Sequence, residues 1–340
     1  MVSQGRSAAK FSNAAVLITD ANYLPPAYFV ASQLLDQPER DFDVVIAIVD
    51  TPAADCRPPD SRVIVRDYAV DPRLVNFAAR EGRPHVAFGR LSIDAMRRDY
   101  RKVLYLDSDI WIAGRSIGDL FNLDLRNYAV AAVRDSGEIV RGGSPEWLTY
   151  KSKLGLAAAA PYFNAGILLI DLERFHQRGI GEDAIRYVAG GKYLGGLDDQ
   201  SALNAVLRGD WLELSPRWNW TFASRDALTR ELAPEIVHFV GGSKPWNDGK
   251  GRYHARYRLA MQEYLGAVGL GGFVKSPAIW PLLQRRIANF LRGLGAGVME
   301  DSRTLAIRRF AQSTGFAKVE AAGSGLPERA AAAQTRVRAG

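Results

Sequence analysis

Short, almost continuous apolar runs alternate along this chain with longer stretches of mixed polarity. This is the pattern of strands buried on both faces of a sheet and of the helices that cover it. Residues 14–19 (AAVLIT) form the first run, and Asp20-Ala21-Asn22-Tyr23 closes it with turn-forming side chains. Pro25-Pro26 stand where a helix over residues 27–35 begins. Residues 44–49 (VVIAIV) and 63–65 predict strands, 86–98 a helix, and 102–106 (KVLYL) a strand that delivers Asp107-Ser108-Asp109. Further strands are expected at 128–133, 165–170 and 235–239, one long helix at 171–190 and a short one at 199–207. Gly241-Gly242 and Lys244-Pro245 make 240–248 a loop. The rhythm predicts an α/β fold, a mostly parallel sheet flanked by helices, and no internal repeat interrupts it.

The pattern changes after residue 265. Gly266, Gly269, Gly271, Gly272 and Pro277 read as a linker, residues 279–291 and 305–310 interleave arginine with aromatic and aliphatic residues, and 321–340 is rich in Ala and Gly. The expected organisation is therefore a catalytic domain over 12–265, a basic amphipathic extension over 266–320 and a disordered tail over 321–340. The net charge of +7 belongs to this region. Residues 275–340 carry 11 basic and 4 acidic residues, so residues 1–274 are neutral. A basic nucleic-acid-binding core is thereby disfavoured, and the extension fits the anionic surface of a membrane or, alternatively, a solvated helix packed on the preceding domain. The single cysteine, Cys56, excludes an intrachain disulfide and a cysteine-rich metal site. Residues 1–13 lack the apolar core of a signal peptide, and no apolar run is long enough to span a membrane. The expectation is a cytoplasmic protein, peripheral on the inner face of the plasma membrane.

In open α/β sheets ligands bind beyond the carboxyl ends of the strands. Three such places carry polar groups: 20–22, 107–109 and His238. Two carboxylates separated by one residue can both turn to a hard divalent cation, and an added imidazole shifts the preference from Mg²⁺ toward Mn²⁺. The spacing alone is equally compatible with a solvated turn, which is the reading given to Asp41-Phe42-Asp43. Context separates the two, because Asp107 and Asp109 lie between KVLYL and IWI. His85, His176 and His254 fall outside this pattern and are read as structural, and Trp211, Trp218 and Trp220 as core.

The segment KVLYLDSDIWI resembles the metal-binding signature of the family 8 retaining glycosyltransferases, which have the GT-A fold. Five further segments resemble that family in its own order. They are Ile18-Thr19-Asp20-Ala21-Asn22-Tyr23; Arg90-Leu91; Tyr162-Phe163-Asn164-Ala165-Gly166 with the apolar run behind it; Asp199-Gln200; and His238 with Gly241, Lys244, Pro245 and Trp246. The resemblance implies that Asp107, Asp109 and His238 hold Mn²⁺, with Mg²⁺ as the alternative. It assigns Ile18, Asp20, Asn22, Tyr23, Ser108, Gly241 and Lys244 to the nucleotide and diphosphate of a UDP-sugar. Arg90, Asp135, Asn164, Ala165 and Gly166 would surround the transferred hexose, and Asp199 and Gln200 would lie at the reacting centre. The implied reaction is transfer of galactose or glucose to a saccharide or glycolipid acceptor, in lipopolysaccharide or exopolysaccharide synthesis. Ala21 and Ser201 depart from the family, each standing where an acidic residue is frequent. Two other functions share part of this pattern. A nucleotidyltransferase would carry a glycine-rich, basic phosphate loop near the N-terminus, which residues 14–24 lack. A non-catalytic carbohydrate-binding protein would have no need of a metal triad beside Lys244.

Overall fold

A computed structural model describes residues 9–192, 195–275 and 302–313. Its strands, in chain order, are β1 (Asn13–Thr19), β2 (Asp43–Ile48), β3 (Val63–Asp67), β4 (Lys102–Leu106), β5 (Ile110–Ile112), β6 (Val130–Arg134), β7 (Phe163–Asp171), β8 (Leu212–Glu213) and β9 (Ile236–His238). The chain divides into two compact units, Met1–Ser108 with Arg115–Leu214, and Asp109–Gly114 with Ser215–Gly340.

The first unit is built on a seven-stranded sheet in the order β3-β2-β1-β4-β7-β6-β8. β2, β4 and β7 are buried at every position, which is why they read as unbroken apolar runs rather than alternating ones. β1 through β4 pair in parallel, and β6 pairs in parallel with β8, so the sheet is mostly parallel as expected. β7 is the exception and runs antiparallel to both β4 and β6. Its reversal has a direct effect on the site. Leu106, the last residue of β4, pairs with Ile167 near the start of β7, and the Asp107 amide donates to the Gly166 carbonyl at 2.8 Å. Residues 164–166 therefore lie at the same edge of the sheet as the carboxyl ends of β1 and β4.

Three expectations need correction. The helix expected over 171–190 is two, Leu172–Gln177 and Ile180–Ala189, because Gly179 takes φ +63° between them. The stretch His85–Arg98 is a succession of 3-10 turns, irregular at Ser92, rather than an α-helix. Asp43 is not in a solvated turn. It is buried at the start of β2 and accepts from the Lys10 amide at 2.8 Å and the Tyr100 hydroxyl at 3.2 Å. The tyrosine and the N-terminal backbone satisfy a carboxylate that the sequence pattern alone places in water.

The second unit carries the antiparallel pair β5 and β9, in which Ile110 faces His238 and Ile112 faces Ile236. Beneath it Arg217 and Glu235 form a buried ion pair. The helix Ser302–Ser313 buries Ile307 and Ala311, pairs Arg308 with Glu231 and accepts Arg225 on Thr304 Oγ1. It is thus attached along the helix Asp226–Leu232. The amphipathic stretch 279–291 and the tail 321–340 lie outside the described residues. Among the described residues no helix is long and apolar enough to cross a membrane.

Candidate active site

In the first unit the carboxyl end of β1 leads into a 3-10 turn, Ala21–Tyr23, that Asp20 caps. Its carboxylate accepts from the Asn22 amide at 3.0 Å and the Tyr23 amide at 3.1 Å, and the Asn22 side chain donates to it at 3.3 Å. Asp20, Asn22 and Tyr23 form one small structure at the sheet edge, with Tyr23 44% exposed. Ile18 is buried behind them, so it can line the site only through packing.

Arg90 is the centre of the next group. It is buried, donates to the Ala165 carbonyl and reaches Asp107 Oδ1 at 2.9 Å. Its Nε lies 2.8 Å from Asp199 Oδ2, and its guanidinium stacks over the Tyr105 ring, 4.5 Å from the centroid. One arginine thereby ties the 3-10 run to β4, β7 and the helix Asp198–Leu207. Burial pushes the Tyr105 hydroxyl well above its ordinary range, so it stays a donor to Asp107 Oδ1 at 2.7 Å. Asp199 is also pushed up, to about 6. Burial is the main cause, Asp107 and Asp198 add to it, and Arg90 opposes it.

Beside this group lies a network of side-chain amides gathered on the Asp135 carboxylate. Asn164 Nδ2 donates to Asp135 Oδ2 and to Gln200 Oε1, both at 3.2 Å. Gln200 Oε1 also accepts from the Ala165 amide at 3.0 Å, and Gln200 Nε2 donates to Asp135 Oδ2 at 3.3 Å. Asp135 Oδ1 meanwhile caps the helix Ser136–Arg141 through the Gly137 amide at 2.6 Å. Both ends of the Gln200 amide are thus engaged, which fixes its orientation and makes it a poor nucleophile. Asn204, one helical turn on, bonds both the amide and the carbonyl of Phe163, at 2.9 and 3.0 Å. Ser201 shares a hydroxyl cluster with Tyr150 at 2.8 Å and Tyr162 at 3.4 Å. The space an acidic residue would need there is taken by tyrosine hydroxyls. Ser108 Oγ is buried with no hydrogen-bond partner among the described residues.

In the second unit Asp109 opens the chain toward β5. His238 Nε2 lies 3.3 Å from its Oδ1, and the Lys244 ammonium contacts its Oδ2. Burial alone would raise the Asp109 carboxyl. The neighbouring His238 and Lys244 outweigh that and hold it well below the usual range. His238 is oriented from behind by Asn219, whose Oδ1 lies 2.9 Å from its Nδ1. Lys244 also donates to the Phe239 carbonyl at 2.7 Å, and its amide donates to Asn247 Oδ1 at 2.8 Å. Gly241 takes φ +88° in the intervening loop. A carboxylate oxygen and an imidazole nitrogen, the latter fixed by an outer partner, are donors that fit a divalent cation.

The sequence-predicted residues thus form three groups. Asp20, Asn22 and Tyr23 share one turn. Arg90, Asp107, Asp135, Asn164, Ala165, Gly166, Asp199 and Gln200 share one hydrogen-bonded edge of the sheet. Asp109, His238, Gly241 and Lys244 belong to the second unit. Tyr162 and Asn204 belong to the segments that resemble the family without a role of their own, and Tyr105 and Asn219 carry no role in the sequence reading. Of the histidines left structural, His85 pairs with Asp50 and His176 with Asp94, each at 2.8 Å, and His254 caps the helix Ala255–Ala267. Trp211, Trp218 and Trp220 are all buried, as expected for core residues.

Comparison with known proteins bears on the whole arrangement. The family model "Glycosyl transferase family 8" matches residues 15–250. General stress protein A of Bacillus subtilis is 35% identical over 180 residues, covering 47% of this chain and 59% of that protein. Lipopolysaccharide 1,3-galactosyltransferase of Salmonella typhimurium is 30% identical over 159 residues, covering 43% of this chain and 44% of that protein. The chain therefore spans about half the length of these curated relatives. The crystal structure of galactosyltransferase LgtC with donor and acceptor sugar analogs superposes with a TM-score of 0.56 at 22% identity, covering 78% of this chain and 98% of that one. That likeness establishes the fold.

Proposed function

The chain belongs to glycosyl transferase family 8, and from that premise we propose that it transfers a hexose, galactose or glucose, from a UDP-sugar to a hydroxyl of a saccharide or glycolipid acceptor, with retention at the anomeric carbon. The observation that carries the reading is Asp109, met on one oxygen by an oriented imidazole and on the other by an ammonium. Asp109 and His238, with Asp107 two residues before Asp109 in the chain, are the proposed ligands of Mn²⁺, Mg²⁺ being the alternative. A divalent cation bound there supplies positive charge against the diphosphate leaving group.

The protein's own groups divide the remaining work. Glycosyl transfer builds positive charge on the sugar and negative charge on the diphosphate. Lys244 and the glycine loop at Gly241 serve the diphosphate, with Ser108 Oγ as a further donor. Asp20, Asn22 and Tyr23 serve the nucleoside. Arg90, Asp135, Asn164, Ala165 and Gly166 bind and orient the hexose, their mutual hydrogen bonds fixing each donor and acceptor before substrate arrives. Asp199, ionised above about pH 6, is a negative charge for the developing oxocarbenium ion, and Gln200 holds the Asn164-Ala165 backbone in place. Relatives named lipopolysaccharide 1,3-galactosyltransferase and lipopolysaccharide 1,2-glucosyltransferase support an acceptor of that class; its place on the cytoplasmic face of the membrane, approached through the basic extension, is part of the same proposal.

The test is release of UDP from a panel of UDP-sugars by purified protein with Mn²⁺. One hexose donor should be turned over well above the rest, and Asp109→Ala should abolish turnover. No release with any donor, or release indifferent to that substitution, overturns the reading.

A further inference from the structure

We propose that Arg252 is a second diphosphate-binding cation, facing the donor across the exposed glycines of the loop after β9. This inference rests on the donor reading above and adds to it a residue outside the family motifs. It is carried by the way Tyr253 ties the loop together. The Tyr253 ring packs edge-on against Phe239, 5.0 Å between centroids. Its hydroxyl donates to the Ser243 carbonyl at 3.1 Å and lies 3.4 Å from the Val240 carbonyl, and its amide donates to Asp248 Oδ2 at 2.7 Å. Both ends of the 240–248 loop are therefore bound to one buried residue, and the residue before it is set at the rim of the loop.

That residue is Arg252. Its Nη1 lies 3.8 Å from where a Cβ on Gly241 would stand, and its guanidinium is 5.5 Å from the Tyr253 ring centroid. Gly241 and Gly242 are exposed, and a Cβ on Gly242 would meet nothing within 4 Å. The glycine backbone is thus open to close approach by a ligand, with a guanidinium directly beside it. Lys244 is buried, with its ammonium on Asp109 and the Phe239 carbonyl, and Arg252 is exposed beside Gly241. A diphosphate carries two phosphoryl groups, and a planar guanidinium can take two oxygens of one of them.

The experiment measures ligand binding rather than turnover. UDP is titrated by calorimetry into the full chain with saturating Mn²⁺, and uridine is followed by saturation-transfer NMR. Wild type, Arg252→Gln, Arg252→Lys and the distant control Arg258→Gln are compared, with thermal unfolding checked for each. Arg252→Gln should bind UDP about tenfold more weakly, with uridine binding and unfolding temperature unchanged. Arg252→Lys should recover part of the loss, and Arg258→Gln should match wild type. UDP affinity unchanged in Arg252→Gln overturns the inference alone. Equal losses for UDP and uridine overturn it too, since the effect is then on the loop and not on phosphate. Absence of UDP binding by wild type overturns the donor reading and this inference with it.

Discussion

Asn219 holds His238 from the side away from Asp109, with Oδ1 2.9 Å from the imidazole Nδ1. The hydrogen bond fixes the ring so that Nε2 lies beside Asp109, and a divalent cation held by Asp109 would meet that nitrogen as a second ligand. Replacing Asn219 by leucine keeps the volume and removes the acceptor. Mn²⁺ affinity, measured by calorimetry in the absence of nucleotide, should fall about 10- to 100-fold. Affinity equal to wild type would show that the asparagine does not orient the ring.

Asp199 makes stability depend on pH in an unusual direction. Burial raises its carboxyl to about 6, against Arg90, so between about pH 4 and 6 the folded chain keeps a proton that the unfolded chain has lost. This contribution to stability falls as pH rises through that window. Asp199→Asn removes the buried charge. The stability of the variant relative to wild type, from urea unfolding, should improve by up to about 3 kcal/mol between pH 4 and pH 8, two units at roughly 1.4 kcal/mol each. Activity at pH 8 should drop at least tenfold in the same variant. A stability difference that is flat across pH would overturn the assignment.

Asn204 connects the helix Asp198–Leu207 to the first residue of β7 through both backbone groups of Phe163. It is 1% exposed, so a substituted side chain leaves those groups without water. Asn204→Leu should cost about 2–4 kcal/mol, the sum of two unsatisfied buried backbone groups, read from chemical denaturation. A cost below about 1 kcal/mol would mean that other partners replace it.

Gly181 lies where the helix Ile180–Ala189 crosses the 3-10 run that carries Arg90. A Cβ there would come within 2.4 Å of the Leu91 carbonyl oxygen and 3.1 Å of the Phe175 ring. A backbone oxygen cannot rotate aside as a side chain can, so Gly181→Ala must displace the run. Expected results are a loss of about 1–3 kcal/mol and a raised KM for the donor, because Arg90 precedes Leu91. An unchanged KM would show that the run moves without Arg90.

Much of this arrangement could be read before any coordinates, and the reasons for success and failure are physical. β1, β2, β4 and β7 were visible because strands buried on both faces show as unbroken apolar runs. The direction of β7 was not visible, since parallel and antiparallel central strands have the same composition and pairing is decided by residues far away in the chain. Gly179 falls inside the helix expected over 171–190 because nothing local distinguishes a left-handed break from a tolerated interior position. Asp43 and Asp109 are each the second carboxylate of an Asp-x-Asp triplet, and only the neighbouring apolar residues separated them. Asn219 lies between Trp218 and Trp220, and Arg252 between Gly251 and Tyr253, and neither setting resembles that of a ligand residue. Each lies beside a residue about 10–20 positions away in the chain, and a lone polar residue gives no sign of that.

The backward course of β7 also places its first residues under the same cooperative constraint as the sheet interior. Three of its first four amides are bonded to side chains: Phe163 to Asn204, Ala165 to Gln200 and Gly166 to Asn164. Hydrogen exchange at these amides should require opening of a central strand and run near the slowest limit of the domain, whereas the capped turn at Asn22 and Tyr23 should exchange through local fluctuation. A ligand at this edge would therefore meet one surface that adapts and one that does not. Recognition of the two halves of a donor could then differ in kinetics as well as in chemistry: rapid adjustment around one, and selection by fit around the other.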